Sequence, residues 1–133
     1  MQEIVKIFKA LSDENRVRIL VILSQRNICR KGISRHLGIS DSAVSQHISV
    51  LKSAGLITGV KEGYFVKYRI NKDVFNEGKN FLELFLDNNS VEINSLLKDG
   101  ITELRCYSEC KSANRCYKRE DLENESLFSS KRG

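Results

Sequence analysis

Apolar residues recur at helical spacing from the start of the chain. Ile4, Ile7, Phe8 and Leu11 take the i, i+3, i+4 and i+7 places of one face, which predicts an amphipathic helix over 3–11. Ser12 reads as the N-cap of a second helix over 13–24, with Asp13 and Glu14 in the first turn, where the helix dipole favours anions. Val17, Leu20, Val21 and Ser24 form its predicted inner stripe. A short third helix over 31–37 stops at Gly38. Ser40 caps a fourth over 41–54, with Ala43, Val44, Ile48 and Leu51 inward and Gly55 at its end. The last two helices and the tight glycine turn between them have the order of a helix-turn-helix.

The period then changes. Residues 56–60 and 64–70 are β-branched and aromatic, and Lys61, Glu62 and Gly63 between them predict the turn of a β-hairpin. Helical spacing returns over 74–86 with Val74, Phe75, Phe81, Leu82, Phe85 and Leu86. Asn88, Asn89 and Ser90 interrupt it, and Asn89 with Glu92 has the spacing of a capping box. A further apolar stripe runs through Ile93, Leu96, Leu97, Ile101 and Leu104. The expected organisation is a helix-turn-helix and hairpin domain over 1–90, a C-terminal helix with a cysteine cluster over 91–117, and a charged, disordered tail over 118–133.

Charge adds a partner to this outline. The net charge is +5, but residues 1–70 carry 12 Lys and Arg against 5 Asp and Glu, while the remainder is slightly acidic. A basic first half suits a polyanion such as DNA. The exposed side of the fourth helix offers Ser42, Ser45, Gln46, Ser49 and Lys52, with His47 beside them, and nothing acidic follows Asp41 there. Gln can pair with adenine edges, and Ser with bases or phosphates. Lys61, Lys67 and Arg69 of the hairpin would meet the phosphate backbone or the minor groove. No Ser/His/Asp grouping, phosphate loop or paired carboxylates point to an enzyme. With neither a signal peptide nor an apolar run of about 18 residues, the chain is expected in a reducing cytoplasm, its cysteines free or metal-bound.

Residues 8–20 (FKALSDENRVRIL), 37–57 (LGISDSAVSQHISVLKSAGLI) and 61–70 (KEGYFVKYRI) resemble the ArsR/SmtB family of metal-sensing winged-helix repressors over about residues 4–90. The resemblance implies a winged helix-turn-helix, mainly α with a β-hairpin wing and dimerised through the first and last helices. It also implies a homodimer on double-stranded operator DNA. A histidine at the place of His47 is usual in the family, which implies a DNA-facing or packing role rather than metal ligation.

The cysteines carry the remaining chemistry. Cys106, Cys110 and Cys116 form C-x3-C-x5-C among charged neighbours, a spacing that suits a soft ion: Zn(II), Cd(II), Pb(II) or As(III). A redox thiol switch and unreactive surface thiols are the alternatives. Cys29 is either a further ligand or a packed thiol. The family's third-helix sensing motif has two cysteines, and here Lys31 takes the place of the second. The family's other site uses Asp and His on the helix after the wing, and residues 73–88 contain no histidine. The expected function is repression relieved when a thiophilic ion binds cysteines; a redox-responsive or structural-zinc regulator is the alternative.

Overall fold

The computed structural model describes residues 1–86 and 90–96. Its elements run α1 (Gln2–Leu11), α2 (Glu14–Gln25), α3 (Arg30–Leu37), α4 (Asp41–Ser53), β1 (Ile57–Glu62), β2 (Phe65–Ile70), α5 (Lys72–Leu86) and α6 (Ser90–Ser95). The chain is mainly α with one antiparallel hairpin, in the predicted order.

The corner between α1 and α2 corrects one expectation. Asp13, not Ser12, caps α2, its carboxylate accepting from the Arg16 backbone N–H at 3.1 Å. Ser12 instead closes α1, its hydroxyl donating to the Lys9 carbonyl at 2.7 Å. Both residue types make good caps. Only Asp13 has the extended backbone (φ −121°, ψ 129°) that a cap needs, whereas Ser12 is at φ −86°, ψ 13°.

The inner face of α2 is a second correction. Ile19, Leu20 and Leu23 are buried, while Val17, Val21 and Ser24 are exposed. The helix is apolar on more than one side, so spacing alone leaves its rotation open. Because α2 packs against α1, α3, α4 and β2, burying the larger Ile and Leu side chains gains more than burying Val.

The turn between α3 and α4 is held from both sides. Gly38 sits at φ 69°, its N–H donating to the Ser34 carbonyl at 2.9 Å, and the Ser34 hydroxyl donates to the Ile39 carbonyl at 2.6 Å. Ser40 caps α4 by accepting from the Ala43 N–H at 3.1 Å. At the other end, Leu56 N–H bonds to Leu51 O and Gly55 N–H to Lys52 O, the paired bonds of a Schellman stop. Val44, Ile48 and Leu51 are buried as expected, but Ala43 is only half-buried.

The hairpin turn is shorter than predicted. Glu62 pairs directly with Phe65, so Gly63 and Tyr64 alone make the turn, with Gly63 at φ 60°. A two-residue turn that follows the strand twist requires a positive φ at its first position. Lys61 and Glu62 therefore belong to β1.

The core joins Ile7 and Ala10 of α1 to the inner faces of α2, α3 and α4, and Leu56, Ile57 and Tyr68 seal it from the hairpin side. Helix α5 lies on α1, with Gly78 against Ile7. Helix α6 belongs to a separate unit beginning at Ser90 and shows an N–H of Leu96 bonded to Ile93 O. The capping residue Asn89, the apolar positions Leu97, Ile101 and Leu104, the three C-terminal cysteines and the 118–133 tail lie outside the described residues. Among the described residues no helix is long and apolar enough to cross a membrane.

Candidate nucleic-acid interface

Helix α4 turns one stripe into its core and the opposite one to solvent. Burial of Val44, Ile48 and Leu51 leaves Ser42, Gln46, Ser49 and Ser53, spaced by four, three and four residues, along the outer side. All four are exposed, and no acidic side chain interrupts them. Ser42 is tied to the cap, its hydroxyl 3.1 Å from that of Ser40. Short hydroxyls with one long amide are a surface that can approach base edges closely.

The other predicted contacts divide. Ser45 is half-buried at the side of α4, next to Arg30. Lys52 turns toward β1, its Nζ lying 3.7 Å from where a β-carbon on Gly59 would sit. His47 leaves the outer stripe altogether. Its side chain is 17% exposed, with Nδ1 3.3 Å from Arg16 Nη1 and 4.0 Å from Asp13 Oδ1. It packs α4 onto the α1–α2 corner, in keeping with the packing role among the two expected for it. There the Asp13 carboxyl is held below its ordinary pKa, first by the Arg16 backbone N–H that it caps. Desolvation opposes this, and the neighbouring Arg16 guanidinium adds to the lowering.

The hairpin cations do not share one face. Side chains alternate along a strand, and directly paired residues lie on the same side. Lys61 pairs with Val66, on the side of buried Tyr68, whereas Lys67 and Arg69 lie on the other with their partners Val60 and Thr58. Lys61 and Arg69 are exposed and Lys67 is half-buried. Tyr64 at the tip is fully exposed.

Two residues that matter here were absent from the sequence-based set. Arg30 Nε donates to the Tyr68 hydroxyl at 2.7 Å, and its Nη1 reaches Ser45 Oγ at 3.4 Å. One guanidinium thus links the start of α3, the side of α4 and the wing. Arg16 Nε donates to the Ala10 carbonyl at 2.7 Å, joining α2 to the end of α1. In sequence Arg30 is only a neighbour of Cys29, and nothing local announces a partner 38 positions away.

Cys29 is the N-cap residue of α3 and is exposed. Among the described residues no three metal-ligating side chains gather, at Cys29 or along α5.

Residues 13–58, which hold this helix-turn-helix and the start of the wing, match the model of the bacterial regulatory protein arsR family. The transcriptional repressor SdpR of Bacillus subtilis is 32% identical over 81 residues, which cover 61% of this chain and 90% of SdpR. The chain belongs to the arsR family. Its members are DNA-binding transcriptional regulators, not enzymes. A solved homodimeric winged helix-turn-helix DNA-binding domain from Mycobacterium bovis is 27% identical, with a TM-score of 0.53, covering 66% of this chain and 82% of that one. The cadmium resistance transcriptional regulatory protein CadC homolog of Staphylococcus aureus is 33% identical over 72 residues, or 53% of this chain and 60% of that relative.

Proposed function

We propose that this arsR-family regulator is a homodimeric repressor that reads operator DNA with the outer stripe of α4 and leaves it when a thiophilic ion binds cysteine thiolates. The observation that carries the DNA reading is the run of Ser42, Gln46 and Ser49, exposed on one side of a helix whose other side is locked into the core. The N-terminal half of such a helix enters the major groove, and a dimer places two of them about 34 Å apart. Lys61, Lys67 and Arg69 would add phosphate contacts through the wing, from its two sides.

Gln46→Ala is expected to lower operator affinity by roughly 1–3 kcal/mol and to relax sequence preference, because it removes the amide that bonds to a base edge. Lys61→Ala should instead weaken all duplexes alike and flatten the salt dependence. Fluorescence titrations with matched and scrambled duplexes separate the two. If both variants bind like the parent, the assignment of contacts fails.

Sensing falls to the cysteines. A relative is named for cadmium resistance, and the sequence holds C-x3-C-x5-C at Cys106, Cys110 and Cys116. Cys29 stands without further ligands among the described residues, and Lys31 cannot replace a thiolate in binding a soft ion. We therefore assign the site to the C-terminal cysteines, with Cys29 either a further ligand or a packed thiol. Thiolate ligands would hold Zn(II), Cd(II), Pb(II) or As(III), and charge and geometry at that cluster would shift the dimer between two spacings of its α4 helices.

Cys106→Ser with Cys110→Ser is expected to abolish the thiolate charge-transfer absorbance on Cd(II) addition, and with it operator release, while the DNA affinity of the metal-free protein stays within about twofold, as these residues lie outside the helix-turn-helix and wing. Undiminished absorbance in the double variant would exclude the cluster. Absorbance in the parent without operator release would leave a metal site with no sensing role.

A further inference from the structure

Helix α4 is bordered by an open groove on each side. The first lies toward α1 and α2, about 320 Å³ in volume, with Lys6, Lys9 and Arg16 on its wall. The second lies toward α3 and the wing, about 430 Å³, walled by Arg30 and Lys52. Ser49 and Ser53 line both, so the outer stripe of α4 is the crest between two cationic channels. No carboxylate lines either channel among the described residues.

The cations differ in what they are free to do. Arg16 is held: its Nε and Nη2 bond to the carbonyls of Ala10 and Lys9, and its Nη1 faces His47. It is fixed in the wall and shares its charge with Asp13, whose Oδ2 lies 4.0 Å from Nη1. Lys6 and Lys9 are exposed and form no ion pair among the described residues. Arg30 is anchored through Nε and Nη1, and its Nη2 makes no hydrogen bond among the described residues.

The geometry of DNA gives these two channels an occupant. The major groove is about 12 Å wide, and an α-helix with its side chains is about 10–12 Å across. A helix lying in that groove therefore has a phosphate strand along each flank. We propose that the two channels seat the two sugar-phosphate strands that border the major groove holding α4, Lys6 and Lys9 neutralising one strand and Arg30 and Lys52 the other. The inference rests on the reading that α4 lies in the major groove. It makes α1 a DNA-contacting element, through a side of the helix distinct from that of Ile4 and Phe8.

The test is the salt dependence of binding to a duplex that the full-length protein selects from a random pool. Removing one phosphate contact lowers the slope of log K against log salt by about 0.9. Lys6→Gln with Lys9→Gln should therefore flatten it by about 1.8 per protomer. Lys52→Gln should flatten it by about 0.9. The ratio of affinities for the selected and a scrambled duplex should stay that of the parent, and Lys6→Arg with Lys9→Arg should restore the slope. Lys72→Gln, outside both channels, controls for net charge. A parental slope in the Lys6 and Lys9 variant, or equal flattening by Lys72→Gln, overturns the proposal. Gln46→Ala run in parallel tells the two readings apart. If it loses discrimination while the lysine variants keep the parental slope, only the channel assignment falls. If Gln46→Ala discriminates like the parent, placement of α4 in the major groove falls, and the proposal with it.

Discussion

Leu82→Asp with Phe85→Asp is expected to leave a folded chain that sediments as a monomer and binds its operator at least about 100-fold more weakly, since two linked half-sites gain on the order of 10²–10⁴ over one. The reason lies on α1 and α5. Phe8 and Phe81 approach to 5.8 Å between ring centroids, and Phe81 meets Phe85 edge-on at 5.3 Å. Among the described residues this aromatic row is left partly uncovered. Phe85 remains 58% exposed and Leu86 81%, beside exposed Leu82 and half-buried Ile4 and Phe8. A second copy related by a two-fold axis would cover the row with its own equivalent. Charges placed there cost little in a lone chain, where these positions already face water, and much in a dimer, where they would be buried unpaired. Sedimentation velocity and operator titration on the same samples give the answer. A variant that stays dimeric would move the interface elsewhere, and a monomer with parental affinity would contradict the two-half-site reading.

Ile19→Ala should cost about 2–5 kcal/mol, the range for truncating a buried Leu or Ile, whereas Val21→Ala, two positions on, should change stability by less than about 0.5 kcal/mol. Ile19 is fully buried and Val21 is 59% exposed. Against a total stability of about 5–15 kcal/mol, the first loss alone brings the domain near its unfolding threshold. Urea denaturation followed by circular dichroism measures both. Equal losses at the two positions would mean that α2 is rotated from the orientation described, or that a partner covers Val21.

This pair marks where the sequence stops being legible. Helices are readable wherever polar residues outline the apolar face, as in α4, where Val44, Ile48 and Leu51 stand out against serines and Gln46. In α2 the run from Ile19 to Leu23 is apolar throughout, so rotation is decided by neighbours that are remote in sequence. The caps show the same limit at shorter range: Ser40 is unambiguous, while Ser12 and Asp13 compete, and only backbone geometry chooses. Of the candidate interface, the outer stripe of α4 follows from periodicity. The inward turn of His47, the division of the hairpin cations between two faces and the Arg30 bridge to Tyr68 all depend on tertiary packing or on strand register, which one misplaced turn residue would invert.

If the chain reads operator DNA as proposed, the wing also limits which operators it can meet. Its strands are six residues each and are joined by only two, so the hairpin reaches about 20 Å with no slack at the tip. Adding one residue to each strand below the Val60–Lys67 pair would advance the tip by about 3.4 Å and turn Lys67 onto the side of Tyr68, sending Lys61 to the opposite one. Two residues in each strand would restore the original facing at about 6.8 Å of extra reach. The hairpin is a ruler graduated in pairs. Its length cannot be tuned continuously while its cations keep their sides, so the distance from major-groove contact to wing contact is available to evolution only in discrete steps.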